Sequence, residues 1–498
     1  MKGLSIWKIA EVTGGTLRVF HFGADGWTVC MEGEARSCFL SQEVASITTD
    51  SRKVEEGCLF GAILGERVDG HSFLPDVFQK GAVCALTEKE IPSEKALPDT
   101  AMDSRFAALI EVRNTQKALG SIAEEYLKVL QIPVVGITGS VGKTSTKEMI
   151  FSVLRQKYNA LKTEGNFNNE LGLPLTIFRI REDTEIAVLE MGISHFGEMA
   201  YLSRIARPDT AVITNIGTCH LEYLRDRDGV LKAKTEILEH TNPAGSVILN
   251  GNDDKLRTVE TPGRHRVFFG IHSDEAAIDY AAGSSPDFPG DLRAEEIVLA
   301  RDIRKMGFEG TVCRIETPKG AFEARIRVPG LHNVGNAAAA AAVGLQYGLS
   351  LEEIRAGIEA FDTISGRFRV IRGSRWLVID DCYNANPMSV KASLNVLATA
   401  EGRRVAILGD MGELGETEEA LHREVGTYTA GKVDLLIAIG ALSKHLAEAA
   451  CEAGVHVSYY PDVSAFLKRR EMELSEGDSI LVKASHFMKF SEIVEALT

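Results

Sequence analysis

The sequence predicts an α/β protein of three domains, and three observations carry that prediction. The chain has 498 residues, and soluble domains run to roughly 150 residues each. Short apolar runs alternate with helical stretches from residue 133 to residue 250. A second, separate alternating series begins near residue 375. Strand–helix alternation of this kind builds a parallel, doubly wound sheet.

The elements follow in chain order. The first hundred or so residues mix short apolar runs with turns, and AVCAL (82–86) reads as a strand. TQKALGSIAEEYLKVL (115–130) carries apolar residues at helical spacing. PVVGIT (133–138) is a short apolar run of the kind that forms a buried strand. IAVLEM (186–191), TAVITNIG (210–217) and SVILN (246–250) repeat that pattern. Residues 265–330 break the rhythm: the turn-rich GSSPDFPGD and the segments RVFFGI and FEARIRV predict antiparallel strands. LHNVGNAAAAAAVGLQYG (331–348) predicts a helix whose six successive alanines press closely on a neighbour. RWLVIDD (375–381), RVAILGD (404–410), DLLIAIG (434–440) and SILVKAS (479–485) then predict a Rossmann-like carboxyl-terminal domain. The expected limits are 1–110, 111–362 and 363–498, the middle domain combining a parallel sheet with antiparallel strands.

Composition excludes several classes of function. Lys and Arg total 55 against 70 Asp and Glu, a formal charge of −15. That balance opposes duplex nucleic acid as a partner, because phosphate backbones require a basic face. With 45% hydrophobic and 25% charged residues, the chain is too apolar to be disordered. It contains no apolar run of about 18 residues, so no membrane insertion is expected. The start, MKGLSIWKIAEVTGG, lacks the apolar core of a signal peptide. Eight scattered cysteines without a CxxC pair predict reduced thiols and a cytoplasmic location.

GITGSVGKTST (136–146) follows a predicted strand and opens a predicted helix. The strict phosphate-loop pattern wants Gly where Ile137 stands, and Gly136 and Gly139 supply the small residues instead. Backbone N–H groups and a helix amino terminus can cradle phosphate oxygens here. Gly139, Ser140, Gly142, Lys143, Thr144 and Ser145 are the expected nucleotide contacts, with Lys143 on the β/γ-phosphates and the Thr144 hydroxyl on Mg²⁺. Glu190 ends one predicted strand and His220 follows another, where ligands of an open parallel sheet bind. A carboxylate there suits Mg²⁺, a hard cation. Lys234, in LKAKTEIL, reads by itself as a helix-surface lysine.

Taken together, GITGSVGKTS, LEMG, TNIGTCHLE, KAKTEI, GLHNVGNA, GRFRV and DDCYNAN resemble the Mur ligase family of ATP-dependent amide-forming enzymes, in family order. TTDSRKVEEGCLFGAILGERVDGHSFL (48–74) resembles the family's UDP-sugar-binding domain, so the likeness covers nearly the whole chain. TEGNFNNELGLPLT (163–176), LGDMGELG (408–415) and LVKAS (481–485) resemble the branch that adds D-alanyl-D-alanine to UDP-N-acetylmuramoyl tripeptide. The sibling that adds a diamino acid to the dipeptide usually carries a DNPR-type motif, absent here. A non-catalytic nucleotide-binding homologue would not be expected to retain Lys143, Glu190, His220 and Lys234 together.

The resemblance implies further roles. Thr144 and Glu190 would hold one Mg²⁺, and Glu190 and His220 would touch a second metal site. Lys234 would be carbamylated by CO₂, giving Mg²⁺ anionic oxygens in place of a repelling ammonium. Asn333 and Asn336 would contact adenine, and Arg367 and Asp381 would meet the nucleotide, Asp381 on the ribose. Ser51 and Arg52 would belong to the UDP site, and Asn168 and Asn169 would contact substrate or the γ-phosphate region. A single chain with all three domains can work as a monomer.

Overall fold

A computed structural model describes residues 1–23, 26–65, 68–98, 106–272, 296–363 and 365–498. Its first sheet joins β1 (Thr16–Gly23), β2 (Gly26–Val29), β3 (Ile47–Thr48), β4 (Leu59–Gly61), β5 (Cys84–Thr87) and β6 (Phe106–Glu111) in the order β2-β1-β6-β5-β4-β3. The β3 to β6 strands run parallel, and β1 is antiparallel to both its neighbours. Phe20, Phe60, Leu74, Phe78 and Leu109 fill the core on one face. The predicted helix occupies Thr115–Leu130, capped by the Asn114 side chain on the Lys117 N–H.

The middle segment supplies β7 (Val134–Thr138), β8 (Ala160–Lys162), β9 (Ile186–Glu190), β10 (Thr210–Ile213), β11 (Ser246–Asn250), β12 (His265–Ile271), β13 (Glu296–Lys305), β14 (Thr311–Thr317) and β15 (Gly320–Ile326). Two compact units divide the chain: residues 1–134, 159–191 and 200–207, and residues 135–158, 192–199 and 208–498. In the first, β8 and β9 pair in parallel. In the second, the order β15-β14-β13-β12-β11-β10-β7 brings β7 beside β10.

One expectation needs correction. RVFFGI is not antiparallel: β12 runs parallel to β11 and to β13, and antiparallel pairing starts only at β13–β14. The physical reason is burial. From Val267 to Ile271 the strand is buried at every position, the signature of a parallel strand covered on both faces. GSSPDFPGD lies outside the described residues.

The helix Leu331–Gln346 bears out the alanine argument. Ala337–Ala342 are wholly buried, and this helix packs on Lys143–Leu154. The helix Leu351–Glu359 also reaches Lys143–Leu154, where a Cβ on Gly357 would lie 2.4 Å from the Val153 Cα.

The last segment forms β16 (Arg369–Arg372), β17 (Leu377–Asp380), β18 (Arg404–Gly409), β19 (Leu435–Ile439), β20 (Val457–Tyr460) and β21 (Ser479–Lys483), ordered β16-β17-β21-β18-β19-β20. Ile379, Ala406, Leu436 and Leu481 face one core, and Val378, Val405, Ile437 and Ile480 the other. Both faces are covered, which is why each run reads as continuously apolar. Sequence patterning missed the edge strands β16 and β20, in which Tyr460 is the one buried residue. Among the described residues no helix is long and apolar enough to cross a membrane.

Candidate active site

β7 is buried throughout and delivers its carboxyl end into the loop 139–142, from which the helix Lys143–Leu154 starts. Gly142 takes φ +83° at the helix start. Gly139 takes φ +151°, and a Cβ there would fall 1.9 Å from the Thr214 Oγ1. Only glycine fits that approach. Lys143 Nζ donates to the Gly139 carbonyl at 2.8 Å, folding the side chain back over the loop.

The residues after β10 grip this loop. Ser140 N donates to the Asn215 carbonyl (3.0 Å), and Val141 N donates to Asn215 Oδ1 (2.9 Å). Asn215 Nδ2 and Thr214 Oγ1 both donate to the Val141 carbonyl, at 2.9 and 2.7 Å. Gly217 N donates to Ser140 Oγ at 2.9 Å. The run TAVITNIG predicts a strand to residue 217, whereas β10 ends at Ile213 and leaves Thr214 and Asn215 to the loop. Two polar residues at the end of an apolar strand were the available signal.

Farther along the helix, Thr146 Oγ1 donates to Asn336 Oδ1 (2.9 Å), and Asn336 Nδ2 donates to Asn333 Oδ1 (3.1 Å). Asn333 Nδ2 reaches the Pro329 carbonyl (2.8 Å) and His332 Nε2 (3.1 Å). Both amides are buried, so they pin the alanine-rich helix to the phosphate-loop helix. Burial pushes His332 down to about 4, which keeps its ring neutral.

Arg367 Nη2 donates to Thr144 Oγ1 at 3.2 Å, and its guanidinium lies 3.9 Å from the centre of the Tyr383 ring. Asp381 Oδ2 accepts from Lys483 Nζ and from Ser393 Oγ, each at 2.6 Å, while Oδ1 accepts from Phe368 N at 3.2 Å. Lys483 also donates to the Asn384 carbonyl at 3.0 Å. In sequence Lys483 is only one residue of LVKAS, and the fold makes it the ionic partner of Asp381.

His220 adopts φ +52° and sets Nδ1 2.7 Å from Glu413 Oε2 in the LGDMGELG loop. His220 holds the Glu413 carboxyl below the usual carboxylate range. Lys234 is 1% exposed, not the surface lysine its helical pattern suggests. Burial, aided by the Lys143 charge and opposed by Cys219, lowers it from the usual 10.5 to about 8. No hydrogen bond or ion pair to its amine is found among the described residues. Cys219 Sγ sits 3.2 Å from Ser140 Oγ, which places the start of TCHLE beside the phosphate loop.

In the first unit, Glu190 closes β9 and is 2% exposed. Its Oε1 accepts from Asn168 Nδ2 at 2.8 Å, and its N–H donates to Thr163 Oγ1 at 3.0 Å. Asn169 Oδ1 accepts from Gly172 N at 2.8 Å, a local contact three residues along the chain. Ser51 and Arg52 follow β3, at the carboxyl end of a parallel strand. Arg52 is exposed and pairs with Asp50 at 2.8 Å, holding that carboxyl down at about 2.

Among the described residues no group of three or more His, Cys, Asp or Glu is arranged to hold a metal ion. The donors fit Mg²⁺ better than a metal caged by protein, since Mg²⁺ takes one or two protein oxygens and completes its shell with phosphate and water. The Thr144 hydroxyl, at the start of the phosphate-loop helix, is an oxygen donor of that type.

The chain matches the Mur ligase family, catalytic domain, over 43–127, the Mur ligase middle domain over 137–344, and the Mur ligase, glutamate ligase domain, over 366–486. It is 37% identical over 460 residues to the UDP-N-acetylmuramoyl-tripeptide–D-alanyl-D-alanine ligase of Bacillus subtilis, covering 91% of this chain and 93% of that one. The Escherichia coli enzyme of the same name is 34% identical over 475 residues, covering 94% and 97%. A crystal structure of MurF from Acinetobacter baumannii superposes with a TM-score of 0.81 at 31% identity, covering 99% of this chain and 98% of that one. MurF from Thermotoga maritima in complex with ADP superposes at 0.74 with 28% identity, covering 91% and 96%.

Proposed function

The chain belongs to the Mur ligase family, and from that premise we propose that it joins D-alanyl-D-alanine to UDP-N-acetylmuramoyl tripeptide with conversion of ATP to ADP and phosphate. The observation that carries this reading is identity of 37% and 34% to two ligases of that activity across more than nine-tenths of the chain. The phosphate loop, with Lys143 folded over it, supplies the nucleotide site such a reaction needs.

The reaction has two steps. The terminal carboxylate of the tripeptide takes the γ-phosphoryl group of ATP, and ADP leaves. The amine of D-alanyl-D-alanine then attacks the acyl carbon; a C–N bond forms, the C–O bond to phosphate breaks, and the amine gives up a proton. The first step brings two anions together. At 4 Å, unit charges repel by about 4 kcal/mol at an effective dielectric of 20. Lys143 and Arg367 bring positive charge to the phosphate loop, against the charge of the transferring group. Bound Mg²⁺, with the Thr144 hydroxyl among its ligands, would neutralise phosphate charge further.

Lys234 carries the finer part of this reading. We take it to be carbamylated: its neutral amine bonds to the carbon of CO₂ and loses one proton, leaving an anion. Burial supports this, because an amine lowered to about 8 has a sizeable neutral fraction near neutral pH. In the same reading we assign His220 to metal binding, Asn333 and Asn336 to recognition of the base, Asp381 to the ribose, and Ser51, Arg52, Asn168 and Asn169 to the substrates. The domain limits 1–110, 111–362 and 363–498, single-chain action and a cytoplasmic location belong to the same reading.

The test is phosphate release from the purified chain with ATP, Mg²⁺ and UDP-N-acetylmuramoyl tripeptide, with and without D-alanyl-D-alanine. Release that needs both substrates supports the proposal. Release with the dipeptide substrate and a diamino acid instead would overturn it.

A further inference from the structure

We propose that Asn215 is a positioning residue that holds the phosphate loop in its nucleotide-binding shape without itself touching the nucleotide. The proposal rests on the ATP-dependent ligase reading and adds a residue to it. Asn215 pairs with Val141 as one strand residue pairs with another: its Oδ1 accepts from the Val141 N–H at 2.9 Å, and its Nδ2 donates to the Val141 carbonyl at 2.9 Å. Its own carbonyl takes the Ser140 N–H at 3.0 Å. Thr214 Oγ1 adds a second donor to the Val141 carbonyl at 2.7 Å. The turn therefore satisfies both backbone groups at the loop apex before any ligand arrives.

The consequence is a division of labour within the loop. The N–H groups of Ser140 and Val141 point to Asn215 and are withdrawn from phosphate binding. Phosphate contact then falls to the residues from Gly142 onward, where the helix begins. A loop held this way has little to reorganise when nucleotide binds, and preorganisation is affinity that need not be lost to ordering. Only a carboxamide can make both bonds at once. Aspartate keeps the acceptor but turns its second oxygen against the Val141 carbonyl, and alanine makes neither bond.

The test compares the unaltered chain with Asn215→Asp, Asn215→Ala and Thr214→Val. ADP binding is read by calorimetry with Mg²⁺, and KM and kcat by phosphate release. Losing the paired bonds at Asn215 should weaken ADP binding and raise the ATP KM by roughly ten- to a hundredfold, with the KM for the UDP-tripeptide within about twofold. Thr214→Val removes one bond and keeps the shape, so its effect should be about fivefold. A purely structural role would lower the active fraction, and with it kcat, at unchanged ATP KM; that result overturns the proposal. ADP binding by folded Asn215→Asp within about twofold of the unaltered chain overturns it as well. If Asn215→Ala does not fold, the other two variants decide. Failure of the unaltered chain to bind ADP or release phosphate would instead remove the ligase reading and this proposal with it.

Discussion

Arg367 and Thr144 are joined by a 3.2 Å hydrogen bond from the guanidinium to the hydroxyl, although 223 positions separate them in the chain. One belongs to the GRFRV motif that leads into β16, and the other to the first turn of the phosphate-loop helix. The guanidinium lies over the Tyr383 ring, 3.9 Å from its centre, while one of its nitrogens meets Thr144. Arg367→Lys keeps the charge and loses both the stack and the fork. We expect kcat/KM for ATP to fall roughly ten- to a hundredfold, the cost of one charge-assisted hydrogen bond. Phosphate release measured with both substrates checks this, and an unchanged kcat/KM would refute it.

Lys143→Ala should abolish ADP formation, with kcat lower by about a hundredfold or more, since it removes a cation from the site of charge transfer. Turnover near the unaltered rate would rule out the phosphate-loop role of Lys143. The fold should survive, because Lys143 is only partly buried.

Lys234 offers a stability test as well as a kinetic one. Its amine falls from 10.5 when unfolded to about 8 when folded, so unmodified Lys234 destabilises the native state fully below pH 8. That cost declines between pH 8 and 10.5, because the unfolded chain holds more protons in that window. With CO₂ excluded, Lys234→Met should therefore be more stable at pH 7 by roughly 3 kcal/mol, at 1.36 kcal/mol per pH unit. The advantage should shrink as pH rises towards 10.5. Urea unfolding across pH reads this directly, and a pH-independent difference would refute it. The same substitution should nearly abolish activity, and Lys234→Ala should regain part of it with short carboxylic acids that stand in for the carbamate.

Lys483 and Asp381 form a buried pair at 2.6 Å. Lys483→Met leaves the carboxylate with Ser393 and the Phe368 N–H alone. The expected destabilisation is about 3–5 kcal/mol, because an uncompensated buried charge remains. Adding Asp381→Asn should recover most of it. A double variant no more stable than Lys483→Met would show that the pair is not the source. Asp381→Ala alone should weaken ATP binding and spare the UDP-sugar substrate.

Much of this was legible in one dimension. The helices at 115–130 and 331–346 and the strands β7, β9, β11, β18, β19 and β21 lie where apolar spacing put them. Their burial is continuous on one or both faces, so the pattern repeats at short range. The strands β16 and β20 are half-exposed edges and leave no such pattern. The direction of β12 was also hidden, because parallel and antiparallel partners are chosen by the chain's return path and not by local spacing.

The candidate site divides in the same way. The sequence alone determined the phosphate loop, since GKTS between strand and helix combines backbone geometry and side-chain chemistry within a few residues. It also placed Glu190 at a strand end. Only the tertiary structure decided that Lys234 is buried and that His220 faces Glu413. It alone decided that Asn336 ties two helices and that Asn215 and Lys483 serve Val141 and Asp381. These relationships depend on which groups are removed from water and which distant partner satisfies them. Desolvation and long-range hydrogen bonding are properties of the packed chain, and no spacing along it encodes them.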